Sequence, residues 1–228
     1  MALSKIDISK MTTGTTPVTQ GGTGLTSGTT DQFLKFTGTT TIASAVDNAG
    51  GLTLVASGTG SSVTQVNFDS VFTNAYKAYR FIGGFRPATN SEDLWFVFRS
   101  GGTTTTDSEY RYIIGAEIAE SGANSDARQS AWGQTYWKCS TNSQSNSSNF
   151  MQYVDMTIMN PMATSTTFGA DDAHAFGTSL VYSGSSQVVV SQFGVNYQTN
   201  GNYDGLHMTF SSGNINAYNY QVYGYNPS

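Results

Sequence analysis

Charge is scarce in this sequence. Asp, Glu, Lys and Arg make up 11% of its 228 residues, against about 25% in an average soluble domain. The net charge of −5 offers no basic field to draw in phosphate backbones, so nucleic acid is not expected as a partner. Cysteine is nearly absent. Cys139 stands alone, which excludes an intrachain disulfide and leaves packing or oligomerisation to hold the fold. Long apolar runs are missing too: nothing nears the roughly 18 residues of a membrane span, and no membrane partner is expected. The opening "MALSKIDISKM" alternates apolar and polar residues. It lacks the continuous apolar core of a secretion signal, so any work outside a cell would follow assembly or lysis.

What fills the space is Thr, Ser, Asn, Gln and Gly, the surface chemistry of many extracellular and particle-bound β proteins. Aromatic residues reach 13%, too many for a disordered chain, and they are unevenly placed. Of the 3 Trp, 13 Tyr and 13 Phe, only Phe33 and Phe36 precede Phe68. The expectation is an extended arm over residues 1–48 and a body over 49–228 that buries a core.

Within the arm, Leu3, Ile6, Ile8 and Met11 form a mixed, extended pattern. "TTGTTPVTQGGTGLTSGTT" follows, with Thr favouring extended backbone and Gly permitting turns. Candidate strands lie at Phe33–Thr37, Thr40–Ser44 and Leu52–Ser57. A flexible linker is one reading of this composition. The other is an arm that orders against a second surface, with Phe33, Leu34 and Phe36 as its apolar contacts. Fully extended, about 45 residues reach about 150 Å, enough to cross a neighbouring subunit.

The body is dominated by period-2 segments: "VTQVNF" (63–68), "KAYRFIGGF" (77–85), "LWFVFR" (94–99), "YRYIIGAEI" (110–118), "FMQYVDMTIM" (150–159), "QVVVSQFGV" (187–195), "GLHMTF" (205–210) and "NYQVYGY" (219–225). These read as strands separated by Gly, Asn and Ser clusters. One short helix is predicted at Ser70–Tyr76, capped by Asp69. The fold class is all-β: an extended N-terminal arm, then a jelly-roll-like antiparallel β-sandwich of two four-stranded sheets. The Tyr and Phe on many strand faces are consistent with burial between copies.

The polar residues supply few candidates for chemistry. "GGTG" lacks the strand–helix setting and the Gly-Lys-Ser/Thr of a phosphate loop. Asp171, Asp172 and His174 in "GADDAHAF", with Asp204 and His207, have metal-ligand character, but a polar turn entering a strand explains the cluster equally, and neither metal nor cofactor is expected. A glycosidase would need paired carboxylates, for which Asp107, Glu109, Glu117 and Glu120 are the candidates. No G-x-S-x-G elbow accompanies the two histidines. Cys139 follows Lys138, yet alternation on a strand turns their side chains apart, as expected of a spectator thiol. No catalytic residue is expected. Asn146-Ser-Ser is a formal glycosylation acceptor without a secretion signal to support its use. "AWGQTYWK" gathers Trp132, Tyr136 and Trp137, which suit either packing or contact with a glycan.

"PVTQGGTGLTSGTTDQFLKFTGTTTIASAVDN" resembles the junction of bacteriophage tail fibres and other virion surface proteins, where a "GGTG-x-T" element precedes a small hydrophobic repeat. More loosely, "SVFTNAYKAYRFIGGFRPATNSEDLWFVFRSGG" and "GLHMTFSSGNINAYNYQVYGYNPS" resemble the start and close of a compact β domain of phage structural proteins, notably those of marine phages. The resemblance implies a non-enzymatic virion structural protein, assembled in the host cytoplasm and carried on the virion surface. It also implies a homotrimer partnered by the major capsid protein or a tail protein. A capsid decoration or head-fibre protein is favoured by the small size and by multipoint binding through an arm. A short tail fibre or tail tip recognising a host surface glycan is the alternative, favoured by the junction motif.

Overall fold

A computed structural model describes residues 33–38, 41–45, 51–120, 123–162, 172–183, 187–199 and 201–225. The chain divides into two units, Met1–Ala49 and Gly50–Ser228. In the first, β1 (Phe33–Gly38) and β2 (Thr41–Ala45) form an antiparallel hairpin, with Leu34 opposite Ser44 and Phe36 opposite Ile42. Side chains two apart on a strand share a face. Leu34 and Phe36 therefore stand together, 56% and 68% exposed. The Gly/Thr stretch and Leu3, Ile6, Ile8 and Met11 lie outside the described residues, as does the Phe33 side chain.

The described strands of the second unit run β3 (Leu52–Gly60), β4 (Val66–Phe68), β5 (Ala78–Pro87), β6 (Leu94–Ser100), β7 (Thr103–Thr104), β8 (Tyr110–Glu120), β9 (Ala123–Gln134), β10 (Trp137–Lys138), β11 (Gln152–Met159), β12 (Ala173–Tyr182), β13 (Val188–Tyr197), β14 (Gly205–Phe210) and β15 (Ile215–Tyr225). They form an antiparallel β-sandwich, with an eight-stranded sheet ordered β3-β15-β5-β11-β12-β13-β8-β9 and a five-stranded sheet ordered β10-β6-β14-β4, with β7 on β6. The expected pair of four-stranded sheets is thus corrected. β9 and β12 escaped the periodicity because β9 turns only alanines, among Ser and Gln, towards the core and β12 opens in the polar "DDAH" run.

A nested pairing lies inside this arrangement. β3 pairs β15, β4 pairs β14, β5 pairs β11 and β6 pairs β10. The first and third of these pairs belong to the larger sheet, the second and fourth to the smaller. β12, β13, β8 and β9 extend the larger sheet beyond β11.

Alternation turns one side chain in two towards the facing sheet. In β11, Val154, Met156 and Ile158 are buried while Tyr153, Asp155 and Thr157 are not. Phe81 and Phe85 of β5 meet Phe96 of β6 edge-on, with centroids 6.0 and 6.4 Å apart. Much of the aromatic excess is spent here: Tyr79, Tyr110, Tyr197 and Trp137 are fully buried in the unit's own core. A buried side chain of this size contributes roughly 1.5–3 kcal/mol.

Residues 70–76 form no helix. Ser70 takes φ 56°, and the amides of Val71 and Phe72 both donate to the Asp204 carbonyl, at 2.8 and 3.0 Å. Phe72 is thereby drawn into the core against Tyr79. A seven-residue helix has too few bonds to repay its nucleation, so tertiary contacts win. Asp69, the expected cap, instead holds the buried Arg99 guanidinium at 2.6 Å. The strand expected at 63–68 shortens to Val66–Phe68. Val63 makes only an isolated bridge to Ile215, after a left-handed Ser62.

Candidate functional site: the outer face of the large sheet

The side of the eight-stranded sheet turned away from the smaller sheet carries a mixed array. On β8 the residues Arg111, Ile113, Gly115 and Glu117 point outward, between the buried Tyr110, Tyr112, Ile114, Ala116 and Ile118. Register places their neighbours. Asn196 of β13 lies opposite Arg111, Gly194 opposite Ile113, Gln192 opposite Gly115 and Val190 opposite Glu117. On the other side, Ser130, Arg128 and Asp126 of β9 oppose Ile113, Gly115 and Glu117. Cross-strand neighbours sit about 4.5–5.5 Å apart at Cβ, so each row acts as one patch.

Two depressions lie in this region. One, of about 640 Å³, is lined by Ile113, Gly115, Glu117, Arg128, Val190 and Gln192 among others. The second, of about 390 Å³, is lined by Arg111, Ile113, Ala131, Gly194 and Asn196 among others. Ile113, 65% exposed, and Gly194 border both. At one end the Arg111 guanidinium carbon lies 3.4 Å from the centroid of the Trp132 ring. A cation over an indole face is attracted by the ring quadrupole and held in place. Trp132 is itself 70% exposed. Arg111 makes no ion pair among the described residues, and its Nε and the Asn196 Oδ1 are buried without a hydrogen-bond partner. Asn196 Nδ2 donates to Asp172 at 2.8 Å and lies 3.3 Å from His174 Nδ1.

The aromatic trio in "AWGQTYWK" is divided. A left-handed Gly133 follows Trp132, and the β8–β9 register shifts there. Trp132 stands outside, Tyr136 stacks on Trp95 at 4.1 Å, and Trp137 is fully buried against Phe96, Phe98 and Tyr110. The Trp137 ring is therefore unavailable to a glycan.

The metal candidates do not converge. Asp172 and His174 share the outer face of the large sheet through Asn196. His207 is on β14 of the other sheet, beside Asn67 at 2.7 Å, and burial lowers its pKa. Asp204 accepts the Gly101 amide, and Asp171 lies outside the described residues. No group of three or more His, Cys, Asp or Glu gathers among the described residues.

The carboxylate candidates are strung out. Glu120 accepts a hydrogen bond from Gln187 and Asp107 one from Tyr197. The Glu109 carbonyl accepts the Gln198 amide. Glu117 faces Asp126 across the β8–β9 pair. Cys139 is fully buried, and burial pushes its thiol up to about 12. Lys138 turns away to Asp93 at 2.8 Å. Asn146 is exposed, its side chain donating to the Ala88 carbonyl.

Arg111, Ile113, Gly115, Gly194 and Asn196 were not singled out by sequence reasoning. The available signal was a glycine inside each of "YRYIIGAEI" and "SQFGVNY", since an interior strand glycine often marks close approach of another group. No family model matches the chain, and neither a curated protein nor a solved structure is similar to it.

Proposed function

We propose that this is a non-enzymatic structural protein of a bacteriophage particle, a capsid decoration or head-fibre protein anchored by its N-terminal arm. In this reading it is a homotrimer on the virion surface, with the major capsid protein as its partner. The "GGTG" junction supports the phage assignment. The observation that carries the anchoring role is the β1–β2 hairpin, with Leu34 and Phe36 exposed on one face. A lone two-stranded hairpin is marginal in water; burial of those side chains against a shell protein supplies what it lacks. Nested strand pairing supports a jelly roll for the body, because pairs of a folded ribbon fall alternately into two sheets. Jelly rolls recur in viral coat proteins.

The test is co-sedimentation of the full chain with parent particles. L34S combined with F36S is expected to weaken binding at least roughly tenfold, with body stability unchanged. Undiminished binding would defeat the anchoring role. The second reading, a short tail fibre or tip that recognises a host surface glycan, is favoured by the exposed Trp132 braced by Arg111.

A further inference from the structure

Most glycines with crowded surroundings in the body have a packing reason. A Cβ at Gly177 would strike the Asp155 carbonyl oxygen, and one at Gly205 the Phe68 carbonyl oxygen. Tyr76 fills the space over Gly224, and Phe81 and Phe85 that over Gly83. Gly115 and Gly194 are different. Both sit inside long strands, at backbone angles open to any residue, and both face outward. A Cβ at Gly115 would meet nothing within 4 Å, and one at Gly194 only Ile113, at 3.9 Å. An exposed interior strand position favours a β-branched or aromatic residue, and glycine there weakens the strand. No contact among the described residues offsets that cost.

We infer that the two depressions that meet at Ile113 and Gly194, with Gly115 and Gly194 leaving space on either side of the Ile113 side chain, together bind an uncharged linear oligosaccharide, running from the Arg111–Trp132 pair to Glu117. The inference rests on the second, glycan-recognising reading of the function. The outward positions Arg111, Ile113, Gly115 and Glu117 span about 20 Å at ~3.3 Å per residue, which suits a short run of sugar rings. Ile113 and Val190 offer apolar surface to ring faces. Arg111 and Gln192 offer donors, while Asn196, Glu117 and Asp126 offer acceptors. The unpartnered Arg111 Nε and Asn196 Oδ1 are a donor and an acceptor on directly opposed residues. Both atoms are buried, so a hydroxyl or acetamido group, which donates and accepts at once, reaches them only when the Arg111 or Asn196 side chain swings outward. Arg111 and Arg128 balance Glu117 and Asp126 in charge along this face, so the patch carries no net charge to hold a polyanion, and the chain's net charge of −5 opposes one. A peptide strand is disfavoured because β8 and β13 are interior strands whose backbone groups are already paired.

The experiment applies the full-length protein to an array of neutral hexose and N-acetylhexosamine oligomers of graded length, with acidic glycans and acetylated peptides as comparators. Wild-type protein is expected to bind a neutral glycan better as its length increases. G115Y, which fills open space, is expected to keep the melting temperature and lose at least roughly tenfold in binding. R111A, at a half-exposed position, provides a second variant with the same expected loss. Binding that both variants retain would overturn this site while leaving glycan recognition standing. No signal on any glycan would overturn both. Preference for acidic glycans or peptides would overturn the assigned ligand class.

Discussion

Phenol hydroxyls tie backbone segments together in this molecule. The Tyr110 hydroxyl accepts the Phe98 amide at 2.7 Å and sits 3.0 Å from Thr105 Oγ1. Tyr79 accepts the Thr73 amide and donates to its carbonyl, and Tyr203 donates to the Thr199 carbonyl. Removing one oxygen leaves a buried amide without a partner. Y110F is therefore expected to cost about 1–3 kcal/mol in urea unfolding, although no apolar contact is lost. Burial also sets a pH dependence. It pushes the Tyr112 and Tyr203 phenols and the Cys139 thiol up to about 12, and raises Tyr110 well above its ordinary value. The folded state keeps these protons longer than the unfolded chain does. Their contribution is complete below the ordinary thiol and phenol values, 9.0 and 10.0, and is lost as pH rises from there towards 12. Thermal unfolding should accordingly show a melting temperature that falls steadily above about pH 9.

Among the elements, glycine separates structural demand from vacancy. At Gly177 the β11 backbone presses on β12, and at Gly205 β4 presses on β14. G177A and G205A are each expected to destabilise the protein by about 1–3 kcal/mol, through backbone displacement. G115A has no such clash and should be neutral or stabilising by about 0.5–1 kcal/mol, the usual penalty of an interior glycine. Comparing the three melting curves checks both claims. The strands themselves were legible where one face is apolar. "GLHMTF" is β14 end to end, and "QVVVSQFGV" falls on β13. β9 was illegible because an edge strand in partial contact with solvent needs no apolar alternation. The helix expected at 70–76 failed because local propensity was outweighed by Phe72 entering the core and by two amides bonding to Asp204.

For the whole molecule, the β1–β2 hairpin and the aromatic body pose different problems. Leu34 and Phe36 are exposed side by side on the hairpin, which is why the anchoring test is aimed at them. Amino-acid order alone determined the all-β class, most strand positions and the contrast between aromatic-poor head and aromatic-rich body, because burial alternates with the strand period and leaves its mark residue by residue. Tertiary structure alone decided which strands pair, that the large sheet has eight members, that Trp137 is buried while Trp132 is exposed, and that Arg111, Gly115, Gly194 and Asn196 share one face. Those outcomes depend on register between strands distant in sequence, and a one-residue slip in register turns every side chain of a strand to the opposite face.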